Sequence, residues 1–168
     1  MPSIVTYHES HLDGVRLLWK EAFPNDAPWN AAEFGIPANL SMQPDVFLVA
    51  IDQDVVVGSA VSSIIAGYDG HRGWLYAVAV LKSHQRQGIA TALVREAEKL
   101  LVAMGCKQIN LQVRSSDAEV IRFYRSLGYE VEERVSMKKI VPKQSDTHPA
   151  QACPRRRGTA ETEMKRRP

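Results

Sequence analysis

A chain of 168 residues that is 45% hydrophobic and 24% charged is long enough to bury one core and too short to call for two. It has no apolar run of the roughly 18 residues a membrane span needs, and its opening MPSIVTYHES lacks the basic-then-apolar order of a signal peptide. Cys106 and Cys153 stand far apart with no C-x-x-C spacing, so neither a disulfide framework nor a metal site is expected, and the address expected is cytoplasmic.

The net charge of +2 is unevenly spread, because the excess of Lys and Arg lies in residues 141–168 while residues 1–140 are slightly acidic. That basic tail is rich in Pro and Thr and nearly free of large apolar residues, so burial cannot offset its ordering entropy and it is expected to be disordered. Its RRR at 155–157 and KRR at 165–167 have no interleaved aromatic residues to stack on bases, so a solvated tail is favoured over a nucleic-acid partner.

In chain order, SIVTYH predicts a short strand. ESHLDGVRLLWKEAF then carries Leu12, Val15, Leu18, Trp19 and Ala22 at the 3-to-4 spacing of an amphipathic helix that Pro24 stops. NAAEFGIPANLSM predicts a weaker second helix, broken or shortened by Gly35 and Pro37. The period next changes to strand: FLVAI, a DQD turn and VVVGSAVSSIIAGY form a hairpin rich in β-branched residues. The turn YDGHRG leads into WLYAVAV, a nearly all-apolar and therefore central strand of a three-stranded meander.

HQRQGIATALV follows that strand directly, with a glycine where a helix begins. Ile89, Leu93, Ala97, Leu100, Leu101 and Met104 hold one helical face, and Gly105 stands at the position of a left-handed cap. KQINLQVR alternates as a half-buried strand, completing a right-handed strand-helix-strand crossover. A further helix starts at SSDAEV, capped by a Ser116/Glu119 box or by Asp117, with Val120, Ile121, Tyr124 and Leu127 on its face and Gly128 closing it. YEVEERVSMKKIV predicts one or two final strands.

This order, with Q-R-Q-G-I-A after the central strand and FYRSLGYE after the next, resembles the GNAT superfamily of acetyl-CoA-dependent N-acetyltransferases over residues 3 to 140. GYDGHRG and the upstream PWN look most like the small bacterial YpeA-type members. The resemblance implies an α+β fold: a central mixed, mostly antiparallel sheet of six to seven strands flanked by about four helices, in the order βααβββαβαβ(β).

It also implies that acetyl-CoA is the co-substrate, its pyrophosphate held by Gln85, Arg86, Gln87, Gly88, Ile89, Ala90 and Thr91. Successive N–H groups at a helix start, with the helix dipole, suit such an anion. The pantetheine arm would lie along Val78, Ala79 and Val80 in a splay of the sheet, with Asp117 also on the cofactor side. Tyr124 matches the tyrosine that in many relatives protonates the departing thiolate, and a phenol of pKa about 10 is protonated at neutral pH.

Where many relatives place a glutamate base, this chain has Trp74, Leu75 and Tyr76 on one strand and Gln112 on the next. Trp29, Asp69, His71, Tyr76 and Gln112 are therefore the candidates for the acceptor side, while a solvated Asp-Gly turn remains the simpler reading of Asp69 and His71. His84 reads as a neighbour of the motif, and Cys106 lies outside both motifs. The expected reaction is direct attack of a primary amine in a ternary complex, by a monomer or homodimer with no membrane partner. The rival is an acyl-CoA-binding sensor or interaction module without turnover, which the missing carboxylates favour.

Overall fold

The computed structural model describes residues 2–42, 46–52 and 60–141. Five strands pair in chain order: β1 Ser3–Thr6, β2 Phe47–Ile51, β3 Ala60–Tyr68, β4 Gly73–Val80 and β5 Ile109–Leu111. β1 to β4 are antiparallel and β5 joins β4 in parallel. The expected meander is thus β2, β3 and β4; most of the DQD turn, and VVVG after it, lie outside the described residues. β3, not β4, occupies the middle of the sheet and is buried over its first seven residues. β4 is apolar yet leaves Tyr76 49% exposed, because β5 pairs with only its first three residues.

The period of two along each strand sends side chains to two separate cores. On one face α1 (Leu12–Ala22) and α2 (Ala32–Met42) set Val15, Leu18, Trp19 and Ile36 against Phe47, Val49, Ile65 and Ala79. On the other, α3 (Ile89–Ala103) and α4 (Ala118–Ser126) set Leu93, Val94, Ala97, Leu101 and Tyr124 against Leu48, Ala50, Val61, Ile64 and Leu75. α2 runs unbroken through Gly35 and Pro37, against the expectation of a break. Pro37 and Glu33 are both exposed, so the carbonyl that the proline leaves without a donor sits on the wet side of the helix. Gly35 serves close packing: a Cβ there would meet the Trp19 ring at 3.5 Å and the Asn30 carbonyl oxygen at 3.4 Å.

Gly73, at the start of β4, has a sharper requirement. A Cβ would lie 2.9 Å from Cys106 Sγ, 3.0 Å from Leu101 Cδ1 and 3.4 Å from Ile109 Cγ1, between α3 and the two strands that it connects. Gly73→Ala is expected to destabilise the protein by about 1–3 kcal/mol through overpacking. Thermal unfolding checks this, and an unchanged Tm would mean that the α3–β5 connection yields freely.

Val131–Val141 contains neither helix nor strand, so the final one or two strands expected from YEVEERVSMKKIV do not form. Its apolar residues stay outside: Val135 is 89% and Met137 91% exposed. Alternation makes a strand only where a neighbouring edge and a buried face receive it. The chain divides into two compact units at Glu130/Val131; within the second, Arg134 Nε pairs with Glu132 at 3.1 Å. The α+β class holds with five strands and four helices among the described residues. Among them no helix is long and apolar enough to cross a membrane. The basic tail expected to be disordered lies, from residue 142 on, outside the described residues.

Candidate active site

The site is founded on a defect in the sheet. β4 and β5 pair only as Gly73 with Ile109, Trp74 with Asn110 and Leu75 with Leu111, so among the described residues that edge of β4 has no partner strand from Tyr76 to Val80, the kind of edge an extended chain can pair with. On the other side, Ser63 opposes Ala79 while Ile65 opposes Tyr76: two steps along β3 span three along β4. This is a β-bulge, and it is seated on Ala77, whose φ of +46° is left-handed without the help of a glycine. Val78, Ala79 and Val80, the residues expected along the cofactor arm, leave this bulge directly.

Beyond β4 a 3-10 turn, Lys82–His84, leads into Gln85, Arg86, Gln87 and Gly88. Arg86 and Gly88 have φ of +62° and +79°, which turn the chain sharply into α3. The helix start has no side-chain cap and no acidic residue in its first turn. Among the described residues, the N–H groups from Arg86 to Thr91 donate to no other group. The first N–H satisfied is that of Ala92, on the Gly88 carbonyl at 3.0 Å. Ile89, Ala90 and Thr91 thus present unpaired donors and a positive dipole end, the features an anionic ligand requires.

The long side chains of the motif are tied into the protein. Gln85 Nε2 donates to the Val80 carbonyl and Gln87 Nε2 to that of Ser83, both at 3.3 Å, tying the loop down. Arg86 forms an ion pair with Glu119 at the start of α4. His84 is more than a motif neighbour: Nε2 lies 3.2 Å from Asp52 Oδ2 and Nδ1 2.8 Å from Ser83 Oγ, which anchors the turn to the end of β2. Asp117 is the N-cap of α4, accepting from the Val120 N–H at 3.2 Å; the cap is therefore Asp117 and not the Ser116 box.

Tyr124 points from α4 into the core and is 7% exposed, with Phe123 and Tyr129 rings edge-on at 5.0 and 5.5 Å. Its hydroxyl has no hydrogen-bond partner among the described residues, and burial pushes its pKa up to about 12. Tyr129 differs: its hydroxyl donates to Glu98 Oε1 at 2.9 Å, and burial, then Glu98, hold it well above the ordinary phenol value. Of the two, only Tyr124 keeps an uncommitted proton donor.

In the turn between β3 and β4, Asp69 is fully employed. Oδ1 accepts from the His71 and Arg72 N–H groups at 2.7 and 2.6 Å, and Oδ2 accepts from Trp74 Nε1 at 3.2 Å. The Arg72 and His71 N–H groups hold its carboxyl below the usual range, so it is a weak proton acceptor. By fixing Trp74 it also aligns that indole with Tyr76, whose ring lies 6.4 Å away at 19°. Burial, and then Asp69, raise the Tyr76 phenol. Asp69, Trp74 and Tyr76 therefore come together, with His71 exposed on the same turn. Trp29 is 60% exposed in the 3-10 turn Pro28–Asn30 and forms no ring pair among the described residues. Gln112 is exposed just past the end of β5.

Three residues at the back of the bulge escaped sequence reasoning: Trp19, Ser62 and Ser63. Their signal is two consecutive serines inside an otherwise apolar strand, where both faces are buried and neither hydroxyl can be turned to water. An open cavity of about 560 Å³ behind α1, lined in part by Tyr7, Leu12, Arg16, Ile36 and Leu40, shares no residue with these groups.

Comparison with known proteins agrees with this architecture. The sequence pattern of the Acetyltransferase (GNAT) family matches residues 12–129. An acetyltransferase of Sodalis glossinidius is 45% identical over 108 residues, covering 64% of this chain and 73% of that protein. One of Yersinia enterocolitica is 37% identical over 136 residues, covering 81% and 93%. Among solved structures, the aminoglycoside N-acetyltransferase AAC(6')-Iy with a CoA-linked bisubstrate analogue superimposes with a TM-score of 0.68 at 20% identity, covering 84% of this chain and 99% of that one. Ard1 from Thermoplasma volcanium gives 0.67 at 21%, covering 77% and 83%.

Proposed function

Since this chain belongs to the GNAT family of acetyltransferases, we propose that it moves the acetyl group of acetyl-CoA onto a primary amine by direct attack in a ternary complex. The observation that carries this reading is the conjunction of an unpartnered, bulged edge on β4 with an uncapped helix start one turn beyond it. One offers backbone groups to an extended amide-bearing arm, the other unpaired N–H groups to a pyrophosphate. Gly88 to Thr91 would hold the anion, Val78 to Val80 the arm, and the N–H groups of the bulge would polarise the thioester carbonyl. The acceptor would enter past Tyr76 and Trp74, with Trp29 and Gln112 as further candidates on that side. We place the enzyme in the cytoplasm and read it as a monomer or homodimer.

Tyr124 is the proton donor to the departing thiolate in this reading. A phenol raised to about 12 is a weaker acid than a free one, but a thiolate leaving into the same dry surroundings is raised by the same desolvation, which narrows the mismatch. Cys106 takes no part: it is buried, and its Sγ lies 3.1 Å from the Gln108 carbonyl oxygen.

Among the described residues no carboxylate takes the place of a general base on the exposed face of β4, and Asp69 is held acidic by its own turn. The amine is then left to lose its proton to water. The acetylation rate at subsaturating acceptor should accordingly rise about tenfold per pH unit up to the acceptor's own pKa, about 10 for an alkyl amine. The Tyr124 proton is retained throughout this range. A pH profile checks this; a plateau beginning below pH 8 would mean that a dedicated base exists.

The transferase reading is tested by thiol release from acetyl-CoA with polyamines, amino acids, peptides and aminoglycosides as acceptors. Release above the rate of hydrolysis with at least one amine is expected. Tight acyl-CoA binding with no release for any of them would favour the rival reading, a CoA-dependent sensor.

A further inference from the structure

Ser62 and Ser63 are fully buried in β3, and with His11 they are the buried polar residues among those described. Being consecutive in a strand, their side chains leave on opposite faces of the sheet. Both turn toward the bulge of β4: Ser62 Oγ donates to the Ala79 carbonyl at 2.5 Å and Ser63 Oγ to the Ala77 carbonyl at 3.3 Å. Ser63 is itself aimed from behind, because Trp19 Nε1 donates to its oxygen at 2.9 Å. That indole comes from α1 and is 7% exposed.

A bulge with a left-handed alanine at its apex is strained, and such conformations persist only where the surroundings over-determine them. Alanine or valine would fill either serine position without the cost of burying a hydroxyl. The hydroxyls grip the carbonyls at the apex of the bulge and two residues beyond it, one from each face. Between Ile65 and Tyr68, by contrast, β3 pairs with β4 in regular register.

We infer that Ser63, held by Trp19, and Ser62 are positioning residues that fix the bulge of β4, and with it the direction in which its free N–H groups meet the thioester carbonyl. The inference rests on the reading of that bulge as the acetyl site. A bulge free to relax would still bind CoA through the α3 start, but it would misplace the donors on which carbonyl polarisation depends.

Two readouts separate positioning from mere support of the fold. Ser63→Ala should lower kcat by about 10- to 100-fold, as small misplacements at a reacting centre do, with KM for acetyl-CoA within about threefold. Trp19→Phe, which keeps most of the packing and removes the N–H, should act in the same direction, and the double variant should lose no more than Ser63→Ala. In isotope-edited infrared spectra, acetyl-CoA carrying ¹³C at the carbonyl should absorb at lower frequency when bound to the wild-type protein than when free, and Ser63→Ala should return much of that shift. Should Ser63→Ala fail to fold, Trp19→Phe carries both readouts.

An unchanged kcat and carbonyl band in folded variants, or no band shift in the wild type, overturns the inference and leaves the transferase reading standing. A wild-type protein that shows the shift, loses it in the variant and releases no thiol with any acceptor supports the clamp and removes the transferase reading.

Discussion

Tyr124→Phe is expected to lower kcat by about 10²-fold, at the low end of what general acid catalysis supplies, while KM for acetyl-CoA changes by less than about threefold. The modest figure follows from the environment: burial holds the phenol near 12, far from the working pH at which an acid is most effective. The same burial makes the variant a clean one. The hydroxyl has no hydrogen-bond partner among the described residues, so its removal strands no other group, and Phe keeps the edge-on ring contacts with Phe123 and Tyr129. Stability should be unchanged or slightly higher, since a half-dehydrated polar atom has gone. A large fall in Tm with the fall in rate would make Tyr124 a packing residue, and activity within twofold of wild type would remove its role as acid.

What the sequence discloses and what it hides divide along physical lines. Periodicity marks α1, α3 and α4, because their apolar faces each meet a sheet. The terminal glycines are equally plain: Gly105 and Gly128 take φ of +91° and +97° at the two helix ends where their position had suggested it. The splay was expected from the family resemblance. The bulge was not visible, because A-V-A-V reads the same with or without a slipped residue, and Ala77 enters the left-handed region without the glycine that would announce it. Pro37 misled because propensity describes an isolated helix, while α2 is held by Ala32 and Ile36 in the core. The last strands failed for the opposite reason: their alternation is favourable, but residues 131–141 form no strand pairing among the described residues. The clamp behind the bulge needs residues 19, 63 and 77 in one place, which no local pattern specifies.

Gly88→Val should raise KM for acetyl-CoA by about tenfold or more while leaving kcat at saturation within about threefold. A Cβ at Gly88 would meet nothing within 4 Å, so the substitution is not opposed by crowding inside the protein. It is opposed by the backbone: at φ of +79° and ψ of 1° a β-branched residue costs about 1–3 kcal/mol, and the loop relieves that strain by rotating out of the left-handed region. Rotation there re-aims the N–H groups of Gly88 and its neighbours, which are held in place by Gln85 on Val80 and Gln87 on Ser83 and not by a cap of their own. Gly88→Asn separates two causes. Asparagine tolerates left-handed geometry better than other residues with a Cβ, so if conformation is what the position demands, Asn should recover most of the lost affinity. If instead the pyrophosphate lies against the bare Cα, Asn should fail as badly as Val. Equilibrium CoA affinity measured for both variants decides between them, and wild-type affinity in Gly88→Val would detach this helix start from cofactor binding altogether.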